Sequence, residues 1–162
     1  MAEPNSRTKT SIDAIDLLKQ DHDHVEKAFK EFEKMDRQDA EACRRLIERV
    51  CEELSVHTTL EEEIFYPAVR EGIDDEDLMN EAAVEHETAR MLIEQLQNMA
   101  PDDPNYFATF TVLGEYVRHH VKEEQNEMFP AARKSGIDLA ALGERLRARR
   151  EELTAQEETV AR

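Results

Sequence analysis

One eleven-residue pattern occurs twice in this chain and limits the folds that the chain can adopt. In the first copy His57 is followed four residues later by Glu61 and then by an aromatic residue and a proline; the second copy has His120 and Glu124 in the same order. On an α-helix, residues four apart lie on one face, so each copy can direct an imidazole and a carboxylate to one place. Two copies that face each other would form a metal site.

The residues around both copies indicate helices. Apolar residues recur at alternating steps of three and four, which is the period of an amphipathic helix. The 162 residues include only 4 Gly and 5 Pro, and 36% are charged, with no stretch that alternates as a strand does. We predict four long helices and a shorter fifth one, at about Ser11–Met35, Ala40–Val69, Asp75–Met99, Asn105–Lys134 and Asp138–Glu152.

Short connections between long helices favour antiparallel neighbours. The expected fold class is therefore all-α, an up-down-up-down four-helix bundle with an extra C-terminal helix. We expect a flexible N-terminal arm at 1–10, the bundle at 11–137, and a C-terminal helix and tail at 138–162, with a solvated arginine-rich end.

Histidine and glutamate residues occupy some of the positions where the helical spacing of the apolar stripes would place an apolar residue. His22 takes the position between Leu18 and Val25, whereas His24 falls off that stripe. Counted from the helix connections, the interrupting residues lie at matching levels near mid-bundle. Ionisable groups buried there are costly unless they are paired or bind a metal. The candidate metal ligands are His22, His57, Glu61, His86, His120 and Glu124.

Other polar residues near these positions leave alternatives open. His119 and Glu123 share a neighbouring face and could replace His120 and Glu124 as ligands. The surrounding glutamates are expected on solvated faces, with one or two hydrogen-bonded to a ligand imidazole; they are Glu62, Glu63, Glu123 and Glu127. The three tyrosines are expected to pack rather than to bind metal; they are Tyr66, Tyr106 and Tyr116.

Charge and composition exclude some classes of function. The net charge of −17 argues against a nucleic-acid partner, because a phosphate backbone must be met by Lys and Arg. No apolar run approaches the roughly 20 residues of a membrane span, and the first ten residues are too polar for a secretory signal. Cys43 and Cys51 would lie on the order of 12 Å apart on one helix, too far for a disulfide, and two free thiols suit a reducing cytoplasm.

The motifs together resemble those of the hemerythrin-like, HHE cation-binding proteins. The matching parts are Leu17–His22, His57-x-x-x-Glu61 with Phe65-Tyr66-Pro67, Glu85-His86-Glu87, and His119–Glu124 with Met128-Phe129-Pro130. The resemblance covers about Ser11 to Ile137. It implies a non-haem di-iron centre with an oxo or hydroxo bridge and two bridging carboxylates. Carried over by position, the implied ligands are the six candidates above, with no catalytic residue separate from them.

One departure from the oxygen-carrying hemerythrins affects the expected function. Those proteins have a further histidine four residues after the third-helix histidine, and this chain has Arg90 there. Arg remains protonated and cannot ligate a metal. Two octahedral irons with this ligand set keep two open positions, one on each iron, provided that no other side chain fills them. Such a site suits a small ligand that touches both metals, such as peroxide.

We therefore expect a protein that acts on small oxygen species, and the first hypothesis is catalase-like breakdown of hydrogen peroxide. The second is reversible binding or sensing of O2 or nitric oxide. The third is iron binding or storage without catalysis, or a site that takes zinc or manganese. The expected partners are these small molecules, with no nucleic acid and no membrane, and the chain is expected to be a cytoplasmic monomer or weak homo-oligomer.

Overall fold

The computed structural model describes residues 12–160, so the predicted arm at 1–10 lies outside the described residues. All regular structure in this part of the chain is helical. The elements are α1 (Ala14–Lys34), α2 (Ala40–Leu60), the π-helical segment π1 (Glu61–Phe65), α3 (Tyr66–Gly72), α4 (Glu76–Asn98), α5 (Tyr106–Glu123), the π-helical segment π2 (Glu124–Met128), α6 (Phe129–Lys134) and α7 (Leu139–Val160). Within residues 12–160, no helix has the length and apolarity needed to cross a membrane.

Aspartate side chains cap the N-termini of most of the long helices. Asp13 accepts a hydrogen bond from the amide of Asp16 at 2.9 Å, and Asp39 accepts one from Ala42 at 3.2 Å. Asp75 and Asp138 do the same at the starts of α4 and α7. Each cap satisfies a backbone N–H that has no partner inside the helix, which fixes where the helix starts.

The long helices form a four-helix bundle, and α7 packs alongside it. The bundle consists of α1, α2 continued by π1 and α3, α4, and α5 continued by π2 and α6, which confirms the predicted fold class. The predicted fifth helix corresponds to α7, which lies against α1 and α2. It approaches closely because Gly143 has no side chain: a Cβ there would lie 2.9 Å from the carbonyl oxygen of Ile12. α7 also extends to Val160, beyond the predicted end at Glu152.

The hydrophobic core is divided into two clusters along the bundle. One contains Leu18, Phe65 and Leu146, and the other contains Phe29, Ile47 and Phe110. Buried histidine and glutamate side chains separate the two clusters. The predicted mid-bundle level of these polar residues is therefore where the structure places them.

Each repeated motif contains a π-helical turn that begins at its glutamate. The amide of Tyr66 donates to the carbonyl of Glu61, and the amide of Phe129 donates to the carbonyl of Glu124. A π turn closes over five residues instead of four, so it inserts one extra residue and rotates everything after it. After Glu61 the buried face therefore contains Tyr66 and Val69. Ala68, to which an uninterrupted α-helical period would carry the apolar stripe, is only half-buried.

Candidate metal centre

The structure brings the six predicted ligand side chains together at mid-bundle. They form two overlapping groups, each with two histidines and the same two glutamates: His22, His57, Glu61 and Glu124, and Glu61, His86, His120 and Glu124. In each group one ligand atom per residue lies within 4.8 Å of the others. Two positions that share both carboxylates are the arrangement expected for a pair of metal ions.

Each glutamate reaches histidines from both halves of the chain. Glu61 Oε1 lies 2.7 Å from His57 Nε2 and 3.4 Å from His86 Nε2. Glu124 lies 3.1 Å from His120 Nε2 and 3.2 Å from His22 Nε2. The two carboxylates therefore occupy the boundary between the halves.

The two histidine pairs are arranged alike. The ring centroids of His22 and His57 are 5.0 Å apart with an angle of 67° between the planes. The corresponding values for His86 and His120 are 4.7 Å and 66°. The internal sequence repeat thus produces a pseudo-twofold site, in which each half supplies one imidazole pair.

Several buried polar atoms of this cluster have no aligned hydrogen bond. They include both carboxylate oxygens of Glu61, Oε1 of Glu124 and Nε2 of His22. Glu61 is close enough to His57 for an ion pair, but the two groups converge on a common space instead of aligning as donor and acceptor. Orphaned buried polar atoms are costly in a folded protein unless a ligand satisfies them. Carboxylate oxygens and imidazole nitrogens also suit divalent metals, so these residues fit a metal pair.

Without metal, protons balance the buried charges. Burial lowers the pKa of His57, but Glu61 and Asp21 outweigh it and raise that pKa to about 10. Burial likewise opposes the charged form of His120, while Glu124 and Glu85 raise its pKa to about 11. Burial raises the pKa of Glu61, but the neighbouring His57 holds it well below the usual range. At neutral pH the metal-free site therefore pairs two imidazolium ions with carboxylates.

The first half of the site has firm outer support. His57 donates from Nδ1 to Asp21 Oδ2 at 2.9 Å, and His22 donates from Nδ1 to Gln125 Oε1 at 2.8 Å. Arg150 of α7 in turn donates two hydrogen bonds to Asp21, at 2.9 and 2.5 Å. Such outer contacts fix the tautomer and orientation of a ligand imidazole. The arginine-rich end of α7, expected to be solvated, thus contributes a contact next to the site.

The second half is held more loosely. Nδ1 of His120 lies 3.6 Å from Glu85, and Nδ1 of His86 lies 3.9 Å from Glu62. Arg90 forms an ion pair with Glu62 and is half-exposed. Arg90 stands where oxygen-carrying hemerythrins have a fifth histidine. Its side chain is therefore directed away from the cluster, towards the carboxylate of Glu62.

Tyr66 is the site residue that sequence reasoning missed. Its hydroxyl donates to Glu124 Oε2 at 2.6 Å and lies 3.0 and 3.1 Å from Nε2 of His86 and His120. Burial and the nearby Glu124 raise the pKa of Tyr66 well above its usual range, so the phenol stays protonated. As expected, this tyrosine packs in the core, and the π turn also brings its hydroxyl to the cluster, which the sequence analysis did not predict.

The residue equivalent to Tyr66 in the second half is Phe129, which makes the site asymmetric. The Phe129 ring stacks on His22, with centroids 5.8 Å apart and planes at 3°. A hydroxyl therefore lies beside the His86 and His120 pair, while a phenyl ring lies beside the other pair. The expectation of one open position on each metal stays a prediction, and Tyr66 is the side chain close enough to affect one of them.

Other candidates lie outside the cluster. His24 is exposed and faces Glu53, and His119 is exposed and pairs with Glu123, so the helix faces separate these residues from His22 and His120. Tyr106 is buried in the core cluster that contains Phe110, as expected for packing. Of the four glutamates expected on solvated faces, Glu63 and Glu127 are exposed, and Glu63 pairs there with Arg149.

A small cavity of ≈ 30 Å³ adjoins the four histidines. Its other walls are mostly apolar and come from α1, α2, α4 and α5, including Val25, Leu54, Ala89 and Val117. One water molecule needs a cavity of about 10–15 Å³, so the space suits one or two small molecules. Tyr116, which is about half-exposed, also lines the cavity.

Comparisons with known proteins agree with this geometry. The sequence model of the hemerythrin HHE cation binding domain matches residues 13–132. The chain belongs to this family. It is thus a hemerythrin-like metal-binding domain in which the histidine and glutamate cluster lies at the centre of the bundle.

Two relatives of this hemerythrin HHE domain show what is shared. A DNA nickase from Nostoc sp. is 26% identical over 125 residues, which are 77% of this chain but 35% of the relative. The chain therefore spans about a third of the length of that curated protein. A crystal structure of a hemerythrin HHE cation binding domain-containing protein from Mycobacterium kansasii aligns with a TM-score of 0.75 and 23% identity, covering 90% of this chain and 89% of the other. At that identity the likeness shows a common fold.

Proposed function

We propose that this domain holds two iron ions and breaks down hydrogen peroxide in a catalase-like manner. The observation that carries the proposal is the pair of overlapping groups that share both carboxylates. In this assignment His22 and His57 would hold one iron and His86 and His120 the other, and both groups share Glu61 and Glu124. A bound di-iron pair would supply the two-electron redox chemistry that peroxide breakdown needs.

The side chains themselves position the small molecule and its protons. The cavity beside the four histidines has room for a molecule of the size of peroxide and limits access by larger ones. The protonated Tyr66 hydroxyl lies beside the His86 and His120 pair, where it can hold a proton next to Glu124. Arg90 is engaged with Glu62 and leaves the second half without a third imidazole.

Oxygen evolution from hydrogen peroxide tests this proposal. We expect the iron-loaded chain to release O2 much faster than the same amount of free iron, with two irons per chain. His22→Ala should remove this activity, because His22 lies in the buried cluster. His24→Ala is the matched control, since His24 is exposed on the same helix. Turnover no faster than free iron would overturn the assignment.

The apolar cavity walls favour a second candidate, the binding of O2 or nitric oxide. Val25, Leu54 and Val117 offer no hydrogen bonds, which suits an apolar diatomic molecule. A stable oxy or nitrosyl spectrum without peroxide turnover would support this function. The nicking of DNA that gives the Nostoc relative its name does not fit this chain, because a net charge of −17 opposes contact with a phosphate backbone.

A further inference from the structure

A second group of ligand-type side chains lies on the outer surface of α4 and α5. His119 Nε2 is 3.1 Å from Glu123 Oε1 and 3.9 Å from Glu85 Oε2. One ligand atom from each of the three residues lies within 4.8 Å of the others. None of the three belongs to the central cluster, although Glu85 lies next to it.

The pseudo-twofold symmetry shows what this group lacks. Asp21 and Glu85 each immediately precede a cluster histidine, and each faces Nδ1 of the second histidine in its own half. Arg150 donates two hydrogen bonds to the carboxylate of Asp21 and balances its negative charge. Within residues 12–160, the buried Oε2 of Glu85 has no hydrogen-bond partner. The second half thus has the carboxylate but no equivalent of the arginine.

The surroundings of Glu85 suit a cation. An open groove of ≈ 580 Å³ passes this point, and its polar walls include Asp77, Asn80 and Glu81. Clustered negative charge at a groove raises the local concentration of cations. The groove therefore supplies both access from solvent and attraction for a positively charged ligand.

We propose that Glu85, His119 and Glu123 bind a divalent transition-metal ion, separate from the central metal pair. One imidazole and two carboxylates are a mixed nitrogen and oxygen set of the kind that holds Mn²⁺, Fe²⁺ or Zn²⁺. Ligands at about 2.1 Å from one ion lie about 3–4 Å from each other, which the spacings of 3.1 and 3.9 Å match. The ion would satisfy Glu85 Oε2 and so steady the carboxylate beside His120.

This proposal does not depend on peroxide activity, and its test uses binding alone. The full chain is first loaded with two metal ions, either iron or zinc, and its metal content is measured. Mn²⁺ is then titrated and followed by calorimetry and electron paramagnetic resonance. We expect one further Mn²⁺ per chain, and we expect His119→Ala and Glu123→Gln to weaken its binding at least about tenfold.

His24→Ala is the matched control, because His24 also faces a glutamate across two helices, with Nε2 3.5 Å from Glu53 Oε1, but lies outside the three-residue group. That variant should bind Mn²⁺ like the unaltered chain. The proposal is wrong if no further Mn²⁺ binds, or if His119→Ala and His24→Ala bind it equally well. It is also wrong if His119→Ala loses the two central metals, because His119 would then belong to the central site.

Discussion

Replacing Asp21 with alanine tests whether the outer contacts of the cluster matter for metal binding. Asp21 receives the Nδ1–H of His57 at 2.9 Å and two hydrogen bonds from Arg150. The substitution removes the contacts to His57 and to Arg150 at once, and it leaves the His57 ring without its hydrogen-bond acceptor. It changes none of the six proposed ligands.

The size of the effect follows from the burial of each partner. His57 is buried, so its charge-assisted hydrogen bond to Asp21 is worth about 1.5–3 kcal/mol. The Arg150 side chain is 36% exposed, and solvent screening limits its share to under about 1 kcal/mol. The metal-free variant should lose about 1.5–4 kcal/mol, or roughly 3–16 °C in melting temperature for a chain of this size. Metal affinity should fall about 10- to 100-fold, as is usual for the loss of such an outer contact.

Thermal unfolding of the metal-free chain and competition against a chelator measure these two effects. Asp23→Ala is the matched control, since Asp23 is exposed on the same helix two residues away. If Asp21→Ala and Asp23→Ala bind metal with affinities within about threefold of each other, then Asp21 does not support His57 and the reasoning fails.

Four further predictions concern the central cluster. His22→Ala should abolish the charge-transfer absorption of the iron-loaded chain and His24→Ala should keep it; loss of absorption in both would show that the helix face was misassigned. Tyr66→Phe removes a donor to buried Glu124, so the metal-free chain should be less stable by about 1.5–3 kcal/mol in denaturant unfolding, and an unchanged midpoint would contradict this. The pKa values of His57 and His120, about 10 and 11, lie above the usual value, so metal must displace two protons, and apparent affinity should rise from pH 6 to pH 8. The same shifts stabilise the metal-free fold below the usual histidine pKa of about 6.5, and this contribution is lost as the pH rises through 10 to 11, which melting temperatures against pH will show.

The sequence allowed the bundle and the meeting of the six side chains to be predicted, because both depend on helix periodicity. Only His22 of the two nearby histidines on α1 follows the apolar stripe, and the structure buries His22 and exposes His24. The same rule separated His120 from His119 less clearly, since apolar residues flank both faces there. The structure places His120 in the cluster and His119 outside it. That these residues bind metal stays a prediction.

Two features were beyond this kind of reasoning for physical reasons. The π turns add one residue each, so a stripe continued at the α-helical period points to Ala68 and misses Tyr66. A proline six residues after each glutamate is the one local signal, because it cannot donate to the carbonyl of the preceding turn. Arg150 is 129 residues from Asp21, and no periodic pattern specifies how α7 lies across the bundle.

The charged layer that divides the core also fixes the register of the helices along the bundle axis. A shift of α2 by one turn, about 5.4 Å, would move Glu61 from the histidines into the apolar side chains of a neighbouring cluster. An unpaired buried carboxylate is far costlier than a small loss of apolar packing. Leucine and phenylalanine layers tolerate such slippage because one apolar contact resembles another. We therefore expect the polar layer to select a single alignment of the bundle before any metal arrives, so that the metal meets ligands already at the right height.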